Sequence, residues 1–309
     1  IDLDDNLIDA KNMLAFTQPN FETGMTLFES NIKQAKNLKN KLLIANTYSS
    51  KGWWLWHFNY FELSIESFIN AIKIYKKLNV KSHMSNSLQG LGMVFMCLGQ
   101  SKSALKTFSR AKDLAEELED QDLLYRIYVH NALFYLWLGE FDKAMELLNK
   151  LKNNSIVKNN QTRIAVNHYI RGCIDFSSKN YQNANNNFKE GYEILEKIGD
   201  RNNSTWIFAW YILTEVILRE VNQKENIQLI LTRIDENWLN SDIDFPEINY
   251  NLFRIYKQLN NVDKAKLHLT KAYEKLIYLS ENIKNKEFKK SFLNARCHNE
   301  IIKDWEKLT

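Results

Sequence analysis

The chain has 309 residues, 45 % of them hydrophobic and 25 % charged, a balance that excludes wholesale disorder. Its 9 glycines and 2 prolines are too few for the turns of a sandwich, a barrel or a doubly wound sheet. The formal charge of +4 comes without a basic block, so no nucleic-acid partner is expected, and no apolar run reaches the roughly 18 residues of a membrane helix.

The chain opens on Ile1 rather than Met, with no signal-peptide pattern behind it, so a piece cut from a longer protein is expected. Helical apolar spacing then sets in. Residues 42–58 keep one stripe and residues 60–78 another, through Leu63, Phe68, Ile72 and Tyr75, with a short polar break at 57–60 between them. Matching breaks follow at 98–101, 138–141 and 178–181, where Gly99 and Gly139 fit the left-handed position that ends a helix. Longer breaks are expected near Asn79, Asp120, 153–154, 200–201 and 240–244. The pattern predicts antiparallel pairs, helix A then helix B. The repeats lie near 1–40, 41–79, 80–120, 121–156, 157–200, 201–242 and 243–282, and capping helices fill 283–309.

A period of 40 residues ties these pairs together. Ala104, Ala144 and Ala184 recur at that interval, each followed four residues on by Phe108, Leu148 or Phe188. Stepping back gives Ser64 with Phe68 and Gly24 with Phe28, and twelve residues before the small position stand Gly52, Gly92, Ala132 and Gly172. Small residues let two helix backbones approach closely, and the Phe is expected to fill the space between neighbouring pairs. Beyond residue 200 the register weakens at Lys224 and Gln228, then returns at Ala265, Leu269 and Ala272 after one inserted residue.

Leu88, Leu91, Gly92 and Phe95 on helix A, with Ala104, Phe108 and Ala111 on helix B, resemble the tetratricopeptide repeat (TPR). The period is longer than the usual ~34 residues and the closing Pro is missing. The resemblance implies an all-α fold: a right-handed superhelical solenoid of about seven helix pairs with a C-terminal capping helix. Near the chain end, Ser291-Phe292-Leu293-Asn294, then His298, Glu300, Ile301 and Trp305, are similar to the ends of bacterial STAND and AAA-type signalling ATPases. That similarity implies a cytoplasmic regulatory module controlling other domains of its parent chain. The alternative is a stand-alone peptide sensor resembling the Rap-type quorum-sensing regulators, or an interaction scaffold; the three-helix effector bundle of the Rap type is not recognisable in residues 1–40.

Catalytic chemistry finds no footing. The six histidines fall in different helices, no CxxC or Walker pattern occurs, and the three cysteines are far apart, so neither a metal, a cofactor nor an enzymatic activity is expected. In TPR arrays the A helices line a concave groove, and the resemblance therefore selects the groove positions. These are Asn46, Ser49, Trp53 and Trp56, then Asn86, Gln89, Met93 and Met96, then Arg126, Trp137, Tyr169 and Trp206. Six of the eight tryptophans sit on A helices, which suits a wall that anchors apolar side chains of a peptide or protein ligand. The competing reading is that the same stripe packs as core.

Overall fold

A computed structural model describes residues 3–18, 20–151, 160–218, 223–235 and 244–308. The described residues form helices and turns, with no strand among them. In chain order the helices are α1 (Leu3–Phe16), α2 (Phe21–Asn37), α3 (Lys41–His57), α4 (Phe61–Leu78), α5 (Lys81–Cys97) and α6 (Ser101–Glu117). Then come α7 (Gln121–Leu138), α8 (Phe141–Leu151), α9 (Gln161–Ser177), α10 (Tyr181–Lys197) and α11 (Arg201–Leu218). The last are α12 (Gln223–Asp235), α13 (Asp244–Gln258), α14 (Val262–Glu281), α15 (Lys286–Leu293) and α16 (Arg296–Glu306). Consecutive helices pack as pairs, so the fold is an all-helical, TPR-like repeat array. It divides into two compact units: Ile1–Ile127 with Asn282–Phe292, and Tyr128–Glu281 with Leu293–Thr309.

The turns are more uniform than the sequence predicts. Among the described residues, positive φ occurs at Lys39, Asn59, Asn79, Gly99, Glu119, Gly139, Lys179 and Gly199, spaced by 20 residues or its multiple, and again at Asn260, which is 61 residues beyond Gly199. After each, the next N–H reaches back to a carbonyl five residues earlier, as in Tyr60 to Leu55 (3.0 Å), Val80 to Tyr75 (3.0 Å) and Gln100 to Phe95 (2.8 Å). This is the Schellman closure, which satisfies the last carbonyls of a helix. The breaks near Asn79, Asp120 and 200–201 are thus no longer than those inside a pair. The expected distinction between short and long breaks is corrected there: both kinds of turn are one motif. The breaks at 153–154 and 240–243 lie outside the described residues.

The left-handed position asks least of Gly, yet most of these turns carry Asn, Lys or Glu. Glu119 (φ 52°) gains nothing from its Cβ there. Glu119→Gly should raise stability by about 1 kcal/mol, the strain of a left-handed L-residue less the entropy of an added Gly. Urea denaturation measures it, and an unchanged or lowered midpoint would contradict the reading.

The small positions of the 40-residue period hold rings. A Cβ on Gly52 would lie 2.9 Å from Phe68, one on Gly92 2.6 Å from Phe108, and one on Gly172 2.6 Å from Phe188. Each Phe therefore seats in the A helix of its own pair. Phe68 also presses on Gly90 of the next A helix, where a Cβ would come within 2.3 Å, so the expected packing between pairs holds for it as well. Direct approach of backbones survives at Ser64, whose hydroxyl donates to the Gly52 carbonyl at 2.7 Å.

The C-terminal segment departs from a simple cap. Helix α16 covers the last pair: Tyr250 donates to Asp304 (2.9 Å) and Trp305 stacks on Tyr273 at 4.9 Å. Helix α15 instead begins within the first unit, with Phe292 against Phe61.

Candidate functional site

In the first unit the predicted groove residues lie on α3, α5 and the start of α7, and packing claims most of those on α3 and α5. Met93 and Met96 are each only 5 % exposed and Gln89 only 1 %, which corrects the expectation of a solvent-facing wall at those positions. Ser49 is buried with its hydroxyl 2.9 Å from that of Ser87, and Asn46 accepts from the Tyr75 hydroxyl at 2.8 Å. Asn86 is half-buried. Trp53 and Trp56 are half-buried, their rings perpendicular at 5.9 Å, and Trp53 meets Phe68 edge-on at 5.5 Å. The Trp56 indole donates to Cys97 Sγ at 3.3 Å, joining α3 to α5. Arg126 is exposed and pairs with Asp122 one turn earlier on its own helix, at 3.4 Å.

The second unit holds a cavity of about 280 Å³ on its A helices. Trp137 from α7, Tyr169, Cys173 and Phe176 from α9, and Trp210 from α11 form its walls; α13 brings Glu247, Tyr250, Asn251 and Arg254, and α16 brings Cys297 and Glu300. Of the predicted residues, Trp137 and Tyr169 line it. Trp206 stands beside it, its ring 4.1 Å from that of Tyr169.

The rings interlock. Phe176 meets Trp210 edge-on at 5.0 Å, and Trp210 stacks on Phe188 at 5.6 Å. The Arg254 guanidinium lies 4.3 Å from the Tyr250 ring centroid and pairs with Glu300 at 2.8 Å. A stacked, paired guanidinium is oriented without loss of its charge. The Trp210 indole donates to Glu247 Oε1 at 3.0 Å. Burial pushes the Glu247 carboxyl above the ordinary carboxylate range, against the opposing pull of the Trp210 and Trp206 indoles and of Arg254.

Asn251 is the unusual wall residue. It is 0 % exposed, and neither its Nδ2 nor its Oδ1 reaches a protein hydrogen-bond partner. A buried amide without partners costs about 1–3 kcal/mol for each group left unpaired. The thiols do not compensate. Burial pushes Cys297 up to about 12 and raises Cys173 well above its ordinary value, so both are neutral and poor nucleophiles near pH 7. Among the described residues no group of three His, Cys, Asp or Glu side chains is placed to hold a metal ion.

Glu247, Tyr250, Asn251 and Arg254 escape the sequence reading, although their spacing of 3, 4 and 7 is a one-face helical stripe. The register of 40 slips by one residue before α13, which hid the face to which this stripe belongs.

The sequence profile of the SusR N-terminal TPR domain matches residues 100–273, more than half of the chain. The chain belongs to the SusR N-terminal TPR domain family. No curated protein matches the chain. Among solved structures, the SusR-type chain is similar to the Rap conjugation gene regulator of plasmid pLS20 in complex with the Phr* peptide, with TM-score 0.69 and 14 % identity over 89 % of this chain and 75 % of that one. It is also similar to a Rap protein complexed with Competence and Sporulation Factor, with TM-score 0.62 and 15 % identity over 100 % and 89 %. Aspartyl phosphate phosphatase F from Bacillus subtilis follows with TM-score 0.68 and 13 % identity over 93 % and 72 %. At such identities these likenesses show the fold alone. Among the described residues no helix of this SusR-type array is long and apolar enough to cross a membrane.

Proposed function

We propose that this chain is a non-catalytic, peptide-binding regulatory module that works in the cytoplasm of a bacterium. Its ligand lies in the cavity of the second unit. The single observation that carries the reading is Asn251, a fully buried amide with a donor and an acceptor both unpaired in an aromatic-walled cavity. No atom of this amide is open to solvent, so a peptide reaches it by parting the wall side chains; an extended peptide then offers it a carbonyl and an N–H, and rings such as Trp137 and Trp210 offer flat apolar contact to its side chains. The two Rap structures solved with their partners support this reading by analogy of fold.

The alternative of a sensor module within a STAND-type signalling ATPase rests on the motif at 288–305. Those residues have local structural work: Phe292 packs on Phe61, Ser291 bonds to Leu98, and Trp305 stacks on Tyr273. The peptide-sensing regulator is therefore the reading we favour. Ligand binding would act by favouring one arrangement of the repeats over another, which requires differential affinity for the two.

The test is a positional-scanning hexapeptide library screened by tryptophan fluorescence, with the best peptide then measured by calorimetry. Asn251→Leu is expected to weaken that peptide at least tenfold while leaving the urea midpoint unchanged or higher, because the amide gives up no protein partner. Trp210→Ala should abolish binding. No peptide binding below millimolar Kd, or a best peptide indifferent to Asn251→Leu, would overturn the proposal.

A further inference from the structure

Nothing in a stack of repeats requires residues near 285 to meet residues near 62, since each repeat ordinarily touches only its neighbours in sequence. Yet Glu62, in the first turn of α4, accepts from two successive backbone N–H groups, those of Lys284 (3.0 Å) and Asn285 (2.8 Å). The Asn285 side chain continues the cap, accepting from Glu287 (2.9 Å) and Phe288 (3.1 Å) at the start of α15. One and a half turns on, the Ser291 hydroxyl donates to the Leu98 carbonyl (2.5 Å) and accepts from the Gln100 amide (2.8 Å). Phe292 is buried with its ring 6.1 Å from Phe61. Gly99 fits against this segment closely: at φ 67°, a Cβ there would lie 2.6 Å from the Ser291 carbonyl oxygen.

These groups make a surface with a definite complement. A carboxylate takes two free N–H groups at the head of a helix, a turn carbonyl takes a serine hydroxyl, and an apolar seat takes a phenylalanine. We propose that Glu62, Phe61 and the Leu98–Gly99–Gln100 turn form a docking site for a short helical peptide, and that the chain's own segment Asn282–Phe292 is an exchangeable occupant. The occupant rests on few buried side chains. Ile283 and Phe292 are its buried apolar anchors, whereas Lys284 to Glu287 are exposed. Few buried contacts and many exposed ones are the signature of a segment that opens locally without global unfolding. The site shares no residue with the aromatic cavity and does not depend on its assignment.

The probe is a fluorescein-labelled peptide of residues 282–294, titrated by anisotropy against the full chain. The double variant Ser291→Ala/Phe292→Ala weakens the resident segment and leaves the surface intact. It should bind the peptide at least tenfold more tightly than the unaltered chain, and adding Gly99→Ala should remove that gain. Equal affinity for the altered and unaltered chains, or no binding to either, would overturn the proposal. Hydrogen exchange on the unaltered chain provides a second reading that needs no variant. Amides 284–292 should exchange at least tenfold faster than the core amides of α4, and exchange at the same slow rate would equally overturn it.

Discussion

Phe68→Ala is expected to destabilise the protein by about 3 to 5 kcal/mol, the range for truncating a buried Phe. The ring is 0 % exposed and lies against Gly52 and Gly90, with Trp53 edge-on at 5.5 Å. Glycine has no side chain to move into the space, so the cavity would stay open and the loss should fall in the upper half of that range. Trp53→Ala is the informative comparison. Its ring is half-buried, so it should cost clearly less than Phe68→Ala in the same urea series. Equal losses would make Trp53 core; a loss below about 1 kcal/mol for Phe68→Ala would contradict the ring-on-glycine account.

Acid should weaken the second unit through His268. The imidazole is buried, with Nδ1 2.9 Å from Asn249 Oδ1, and it stacks on Tyr256 at 5.4 Å. Burial lowers its pKa from 6.5 to about 4, helped by the charges of Lys271 and Lys264. A base depressed in the folded state takes up its proton first in the unfolded chain. Above pH 6.5 both states are neutral and nothing is lost; as the pH falls from there towards 4 the unfolded state gains, and below 4 the full penalty applies. The size is about 3 kcal/mol. Urea midpoints between pH 7 and 4 should fall more steeply for the unaltered chain than for His268→Gln, where the carboxylates and the other five histidines still titrate but His268 does not. Parallel profiles would show that His268 is not the responsible group.

Helix type and repeat period were legible in the sequence because they rest on apolar spacing and on small residues such as Gly52, Gly92 and Gly172, whose partners are large rings. Turn uniformity was not. Lys39, Glu119 and Lys179 adopt a left-handed conformation that their side chains do not advertise, and the closing hydrogen bonds that stabilise it belong to the backbone. Burial at Met93 and Met96 was equally hidden, since an apolar stripe on an A helix reads the same whether it faces a ligand or a neighbouring helix. Trp137 and Tyr169 were chosen by their register and do line the cavity. The polar half of that site escaped because Glu247, Asn251 and Arg254 follow the slipped register. The seat of Phe292 on Phe61 is a contact between residues 231 positions apart, which no local pattern encodes.

The even spacing of the left-handed turns has a consequence for how such a chain can change length. Helix and turn together occupy 20 residues from Lys39 to Gly139 in the first five intervals. Removing 20 residues would exchange A helices for B helices in everything downstream. Removing 40 would restore the frame. A single inserted residue would rotate the following surface by about 100°, until another irregularity absorbed it. An array of this kind grows and shrinks in whole pairs, its permissible lengths forming a ladder with 40-residue rungs.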